Sequence, residues 1–130
     1  MLDNFFKPQS IAVIGASRTP GKVGYDILKN IIQYGYEGAV FPINPSASEV
    51  LGKKSYPSLL DVPDKIDMAV VVVPSKNVIE VIEQCGAKKI DSAIIITAGF
   101  KESGIEGAKL ENELIKKSQE CGIRFIGPTG

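Results

Sequence analysis

The residues best suited to chemistry in this sequence form a glycine-containing loop that follows a short apolar run. The segment IAVIGASRTPGKVG holds Gly15, Gly21 and Gly24, the first of them directly after four apolar residues. An apolar strand that ends in glycines and then opens a helix presents main-chain N–H groups and a helix N-terminus, which together favour an anionic phosphate. The segment therefore predicts a phosphate-binding loop.

The spacing of these glycines departs from two common phosphate-binding motifs. A P-loop needs four residues between its glycines, but Gly15 and Gly21 are one residue too far apart, and Val23 stands where a magnesium-binding hydroxyl belongs. The dinucleotide fingerprint GxGxxG is kept only in its final GxxG, and the second apolar run ends in Asn44 rather than in an acidic ribose ligand. The pattern argues against a nucleoside triphosphatase. It makes an NAD-binding site less favoured but does not exclude one.

Composition limits the class of protein further. The 130 residues, of which 44% are hydrophobic and 23% charged, fit one compact domain that spans residues 1–130. Fifteen basic and fifteen acidic side chains give no net charge, so we expect neither a nucleic acid nor a membrane as partner. A local basic patch is possible around Arg18, Lys22, Lys53 and Lys54. No apolar run is long enough to span a bilayer, and the first residues do not resemble a signal peptide, so we expect a cytoplasmic protein.

The sequence contains no histidine and two cysteines, Cys85 and Cys121. The lack of histidine removes imidazole acid–base chemistry and the commonest zinc ligand, and we predict no metal site and no catalytic residue in this chain. The cysteines form no CxxC pair, and each precedes a glycine near the end of a helical pattern. We interpret both as small buried apolar residues rather than as a disulfide or a reactive thiol.

Alternating strand and helix patterns place the glycine loop in an α/β fold. Apolar runs predict strands at residues 10–14, 39–43, 68–73, 92–96 and 124–126. Helical spacing predicts helices at residues 22–34, from a Ser75 N-cap onward, and at about 106–120. Residues 44–57 are predicted to be a loop, the first strand to be central, and the second, which contains Pro42, to lie at an edge. The alternation predicts a single Rossmann-like domain, a doubly wound parallel five-stranded sheet with helices on both faces.

In such a sheet, ligands bind beyond the carboxyl ends of the strands, near the point where the strand order reverses. The predicted loops at this edge are residues 15–22, 43–46, 73–75 and 97–99. They are rich in Gly, Pro, Ser and Ala, which let a ligand approach the main chain. Each such residue taken singly is explained by turn geometry, capping or the end of a strand. Their placement at four successive strand ends indicates one common site.

Short motifs along the whole chain carry a family resemblance. They are, in order, GASRTPGKVG, FPINP, SYPSLLDVPDKIDMAVVVVPS, IIITAGFKESGIEGAKLENEL and GIRFIGP. This series resembles the N-terminal CoA-binding domain of ADP-forming acyl-CoA (acetyl-CoA) synthetases, which is related to the succinyl-CoA synthetase α subunit. The resemblance implies coenzyme A as the ligand. A 3′-phosphorylated ribose would also explain the missing acidic ligand, which would repel it.

The resemblance also implies site residues. Ser17, Gly21, Lys22 and Val23 would contact the CoA phosphates, beside Gly15, Ala16 and Arg18 of the same loop. Ile43, Asn44, Pro45, Val73 and Pro74 would enclose the nucleotide, and Ile96, Thr97, Ala98 and Gly99 would lie along the pantetheine arm.

Two departures from the family pattern affect what can be carried over. Related chains often have lysine after the Asn-Pro pair, where this one has Ser46 and Ala47, so the group that reads the 3′-phosphate is Lys53, Lys54 or none. Related chains also continue the last motif as a Gly-Pro-Asn-containing loop, where this one reads Gly127, Pro128 and Thr129. In the family a histidine of a second domain carries the phosphoryl group, and this chain has no histidine. That step needs further ligase domains, in cis or as another subunit, and in the family the last motif continues into such a domain.

The leading hypothesis is therefore the CoA-binding part of an ADP-forming acyl-CoA synthetase, which converts acyl-CoA, ADP and phosphate reversibly to the acid, CoA and ATP. This part would position CoA and would not be catalytic alone. The alternatives are a free-standing CoA-binding or sensing module, the CoA-binding half of a protein lysine acetyltransferase, and an NAD(P)-binding domain. The codons after Gly130 and the relative affinities for CoA and NAD discriminate among them.

Overall fold

A five-stranded parallel sheet forms the centre of the computed structural model, which describes residues 9–96 and 105–129. Its strands are β1 (Ser10–Ile14), β2 (Ala39–Ile43), β5 (Met68–Val71), β6 (Ser92–Ile96) and β7 (Arg124–Thr129). They lie in the order β2-β1-β5-β6-β7, with every neighbouring pair parallel. Two further strands, β3 (Glu49–Val50) and β4 (Lys53–Lys54), form a separate antiparallel hairpin.

Helices cover both faces of the sheet. They are α1 (Val23–Gln33), α2 (Ser75–Ala87) and α3 (Ile105–Cys121), and a 3-10 turn spans Leu59–Asp61. Leu28 of α1 packs in one apolar cluster with Val13 of β1, whereas Val78 of α2 and Leu114 of α3 pack in another with Ala12. Successive β1 side chains thus enter opposite cores, which is why the strand is continuously apolar. The predicted doubly wound Rossmann-like fold is confirmed.

Most element positions agree with the sequence patterns. The bounds of β1, β2 and β6 are those predicted, β1 has strands on both sides, and β2 lies at an edge, where the missing N–H of Pro42 costs no ladder hydrogen bond. The prediction of Ser75 as an N-cap is wrong by one residue. Pro74 is the N-cap, with φ −55° and ψ 148°, because its fixed φ suits the extended residue that opens a helix.

The prediction that residues 44–57 form only a loop is also wrong, because this segment contains the β3–β4 hairpin. Glu49 lies opposite Lys54, and Val50 lies opposite Lys53. Leu51 (φ 50°) and Gly52 (φ 79°) form the turn, with the two positive φ angles of a type I′ turn. Strands of two residues are too short for a period to be recognised, and leucine is not a turn signal.

Candidate functional site

The strand order reverses next to β1. From β1 the chain passes through α1 to β2 on one side, and it then crosses to β5 on the other side. Main-chain bonds join the three strand ends, since the Val72 N–H donates to the Ile14 carbonyl (2.7 Å) and the Gly15 N–H donates to the Ile43 carbonyl (3.2 Å). The reversal lies between β1 and β5, which is where ligands bind in open α/β sheets.

Glycines of the loop after β1 let the chain pack closely at this point. A Cβ on Gly24, in the first turn of α1, would lie 2.0 Å from the Gly15 carbonyl oxygen. Gly21 differs, because it has φ +92° but open space where a Cβ would stand. The GxxG spacing therefore seats the N-terminal turn of α1 directly against the end of β1.

A cleft of about 320 Å³ opens at the carboxyl ends of β1, β2 and β5, and we call it the strand-end cleft. Its lining residues come from the three loops, the 3-10 turn region and α2: Ile14, Gly15, Ala16, Ile43, Asn44, Pro45, Pro57, Ser58, Val73 and Gln84. None of these side chains is ionisable. The cleft can enclose a ligand and offer it amide, hydroxyl and main-chain groups, but these ten residues supply no acid or base.

Six predicted site residues line this cleft, namely Gly15, Ala16, Ile43, Asn44, Pro45 and Val73. Ser17 and Pro74 directly follow the lining residues Ala16 and Val73 but do not line the cleft themselves, and neither do Gly21, Lys22 and Val23. Ile96 is half-buried and packs against the core on the α1 side of the sheet. Thr97, Ala98 and Gly99 lie outside the described residues.

The cations of the glycine loop are exposed. Arg18 and Lys22 both face solvent, and the Ser17 hydroxyl accepts a hydrogen bond from the Thr19 N–H at 3.0 Å. Lys22 is the N-cap of α1, and no side chain caps the helix. The first-turn N–H groups of α1 therefore have no capping side chain, which is the arrangement that favours an anion there.

Arg18 also lines a second cleft, of about 330 Å³, between the glycine loop and the hairpin. Its other lining residues are Tyr25, Ser48, Glu49, Leu51 and Gly52. This cleft shares no lining residue with the strand-end cleft.

The hairpin lysines that could read a 3′-phosphate are not part of the strand-end cleft. Lys53 and Lys54 are both exposed, and the Lys54 ammonium lies 5.1 Å from the centre of the Tyr56 ring. The expectation for these two lysines therefore stays a prediction.

Sequence reasoning missed Pro57, Ser58 and Gln84 as lining residues. The Ser58 hydroxyl accepts a hydrogen bond from the Leu60 N–H at 3.2 Å and caps the 3-10 turn. A serine at this position of the sequence predicts such a cap and does not indicate a ligand site. Gln84 lies on α2 between the buried residues Ile82 and Cys85. A polar side chain beside a buried stripe was the signal that could have found it.

Neither Cys85 nor Cys121 lines the strand-end cleft, and both lie where α2 packs with α3. Cys85 is fully buried, as predicted, but Cys121 is half-buried, and the prediction of two buried thiols is wrong for it because it lies at the C-terminal end of α3. Burial first, and the neighbouring Cys121 second, raise the pKa of Cys85 to about 12. This thiol stays protonated at neutral pH and is a poor nucleophile.

Within residues 9–96 and 105–129, no group of three or more His, Cys, Asp or Glu side chains could hold a metal ion. No helix in the same ranges is both long and apolar enough to cross a membrane.

Known proteins with similar sequences and structures agree with this architecture. Residues 9–129 match the family model described as a CoA binding domain. The ADP-forming acetate–CoA ligase I subunit alpha of Pyrococcus furiosus is 48% identical over 98% of this chain and 28% of its own length. A structure of the Ca. Korarchaeum cryptofilum dinucleotide forming acetyl-coenzyme A synthetase 1, in complex with phosphate and ADP, has a TM-score of 0.93 and 48% identity over 98% of this chain and 27% of its own.

A protein much shorter than these ligases has the same fold. A hypothetical protein from Pyrococcus horikoshii OT3 is 31% identical with a TM-score of 0.77, and the match covers 96% of this chain and 80% of that one. The present chain thus spans less than a third of the ligase subunit and of the synthetase, but most of this smaller protein. Its fold, its family match and its homology to ADP-forming ligase alpha subunits show that the chain belongs to the CoA-binding domain family.

Proposed function

We propose that this chain binds CoA in the strand-end cleft, as the CoA-binding part of an ADP-forming acyl-CoA synthetase. The observation that carries the proposal is the position of the cleft, beside the reversal of strand order and between the loops that follow β1, β2 and β5. Its volume of about 320 Å³ suits part of a CoA molecule, whose remainder would extend over the loops.

The chemistry of the surrounding residues fits the parts of CoA. Ile14, Ile43 and Val73 give the cleft apolar walls for a nucleobase or a pantetheine chain. Arg18 and Lys22 are exposed cations in the adjoining loop, where they could pair with the diphosphate. The uncapped N-terminus of α1 adds main-chain N–H donors of the polarity that phosphate prefers.

The contribution of this chain to a reaction would be the binding and orientation of CoA. No ionisable side chain of residues 9–96 or 105–129 lines the strand-end cleft, so these residues supply no proton transfer there. The sequence has no histidine to carry a phosphoryl group. We therefore assign the phosphoryl and acyl transfer steps to further ligase domains, in cis or as another subunit, as the greater length of the P. furiosus relative suggests.

Isothermal titration calorimetry of the chain with CoA, dephospho-CoA and NAD tests this proposal. We expect CoA to bind more tightly than NAD, and dephospho-CoA to bind more weakly than CoA if a cation reads the 3′-phosphate. Tighter binding of NAD, or no CoA binding up to millimolar concentration, would overturn it.

A free-standing CoA-binding or sensing module is the second candidate. It is favoured by the P. horikoshii protein, of which a domain like this one makes up 80%. A reading frame that continues past the codon for Gly130 into a domain with a histidine favours the ligase. An immediate stop, together with no histidine-bearing partner subunit, favours the module.

A further inference from the structure

Asn44 lies at the point where the loop after β2 meets the glycine loop and the base of the hairpin. Its side-chain Nδ2 donates to the Ala16 carbonyl at 2.9 Å, and its Oδ1 accepts from the Ser46 N–H at 2.7 Å. Its main-chain N–H donates to the Tyr56 carbonyl at 2.9 Å, and its carbonyl accepts from the Ser55 hydroxyl at 3.4 Å. One half-buried residue thus connects three segments of chain.

The orientation of the Asn44 amide is fixed by these partners. The Ala16 carbonyl is an acceptor and the Ser46 N–H is a donor, so a flipped amide would oppose two oxygens on one side and two N–H groups on the other. The bond to Ser46 closes a local Asx turn. The bond to Ala16 spans 28 positions and reaches the loop that supplies Gly15 and Ala16 to the strand-end cleft.

We infer that Asn44 is a positioning residue of the CoA site, which holds the loops after β1 and β2 at the separation that the ligand needs. This inference rests on the proposed function, and it differs from an assignment of Asn44 as a direct contact of the nucleotide. Each polar atom of its side chain makes one bond to a main-chain group, and these bonds hold the two loops together, so we assign its effect on affinity to the geometry of the loops.

Aspartate at this position keeps the hydrogen-bond acceptor of the Asn44 side chain but lacks its N–H donor. Its carboxylate can still accept from the Ser46 N–H, but it cannot donate to the Ala16 carbonyl unless it is protonated. Alanine loses both bonds at every pH. Asn44→Asp should therefore regain at acidic pH a bond that Asn44→Ala never regains.

The first experiment is CoA titration of the wild type, Asn44→Ala and Asn44→Asp at pH 7 and at pH 3.5, which is below the ordinary aspartate pKa of about 3.9, with circular dichroism to confirm folding at each pH. At pH 7 we expect Asn44→Asp, which loses one hydrogen bond, to bind CoA roughly threefold to tenfold more weakly than the wild type, and Asn44→Ala, which loses both, to bind at least as weakly. At pH 3.5, with each affinity compared with that of the wild type at the same pH, Asn44→Asp should bind more tightly than Asn44→Ala. Asn112→Asp adds the same charge at an exposed position of α3 and should bind like the wild type.

The second experiment needs no ligand. The ¹⁵N shift of the Ser17 amide, which shares a peptide group with the Ala16 carbonyl, should change in Asn44→Ala and should titrate with pH in Asn44→Asp. An unchanged Ser17 shift, or wild-type affinity in Asn44→Ala, would overturn the positioning role even if the wild type binds CoA. Failure of the wild type to bind CoA would instead overturn the proposed function and, with it, this inference.

Discussion

Gly15 packs against the main-chain carbonyl of Val72 so closely that a Cβ on Gly15 would lie 1.8 Å from the Val72 oxygen. Gly15 also has φ +95°, which L side chains rarely adopt. The contact brings the end of β1 against the chain that leaves β5, at the reversal of strand order. The shape of the strand-end cleft thus depends on a missing side chain.

Substitution of Gly15 should cost more stability than substitution of Gly21. The two glycines have nearly equal φ angles, +95° and +92°, but a Cβ on Gly21 meets no atom within 4 Å. We expect Gly21→Ala to lose about 1 to 2 kcal/mol from the left-handed backbone alone, and Gly15→Ala to lose roughly 1 to 3 kcal/mol more through overlap with Val72. Urea denaturation measures both losses, and equal values would contradict the close approach.

Neutralisation of the loop cations should weaken CoA binding in a salt-dependent way. Arg18→Gln and Lys22→Gln each remove an exposed charge beside the predicted diphosphate position. Because exposed charges are well screened, we expect only roughly a threefold loss of affinity each at low ionic strength, and less in high salt. Lys29→Gln, at an exposed position further along α1, serves as the control. A loss of the same size in Lys29→Gln would point to net charge rather than to a loop contact.

Glycine in place of Lys89 should stabilise the domain. After α2, the Ile90 N–H donates to the Cys85 carbonyl (2.9 Å) and the Lys89 N–H donates to the Gly86 carbonyl (3.0 Å), which is a Schellman motif with Lys89 at φ 61°. The corresponding residue after α1 is Gly35, at φ 81°. We expect Lys89→Gly to raise the free energy of unfolding by about 0.5 to 1 kcal/mol, because glycine adopts this conformation without strain.

The control for this change is Glu80→Gly, at an exposed position within α2. Glycine there should lower the free energy of unfolding by about 1 kcal/mol, as in any helix interior. Thermal or urea unfolding should thus move in opposite directions for the two variants, and a loss of stability in Lys89→Gly would contradict the capping geometry.

The Cys85 thiol should make the domain less stable in alkali. Its pKa is raised to about 12 in the folded chain by burial and then by Cys121, whereas an unfolded thiol titrates at about 8.5. Above about pH 8.5 the unfolded chain releases a proton that the folded chain keeps, so stability falls as pH rises toward 12. The slope of unfolding free energy against pH between 8.5 and about 10.5 should be steeper for the wild type than for Cys85→Ala. Equal slopes would show that the Cys85 thiol does not contribute to the loss of stability in alkali.

The fold was predictable where the physical signal is local. Continuous apolar runs ended by Gly15, Asn44 or Pro74 located strands, because such runs are buried on both faces of a parallel sheet. The β3–β4 hairpin was missed because its strands have two residues each and Leu51 occupies a turn position that sequence patterns assign to Gly or Asn.

The site was predictable in part for the same reason. Gly15, Asn44 and Val73 are at the ends of recognisable strands, and topology alone brings strand ends to one edge. Gln84 and Ser58 reach the cleft only through the way α2 and the 3-10 turn pack over that edge, which no short sequence motif encodes. The sequence also could not reveal that the Asn44 amide binds main-chain groups.

CoA bound at the carboxyl ends of β1, β2 and β5 should perturb the amide resonances of the loops that follow these strands. In a titration of the ¹⁵N-labelled chain with CoA, we expect shifts at Gly15, Asn44 and Val73 and none at Lys89 or Gly122, which follow the helix ends at the opposite edge of the sheet. Shifts confined to that opposite edge, or no shifts up to millimolar CoA, would show that CoA does not bind in the strand-end cleft.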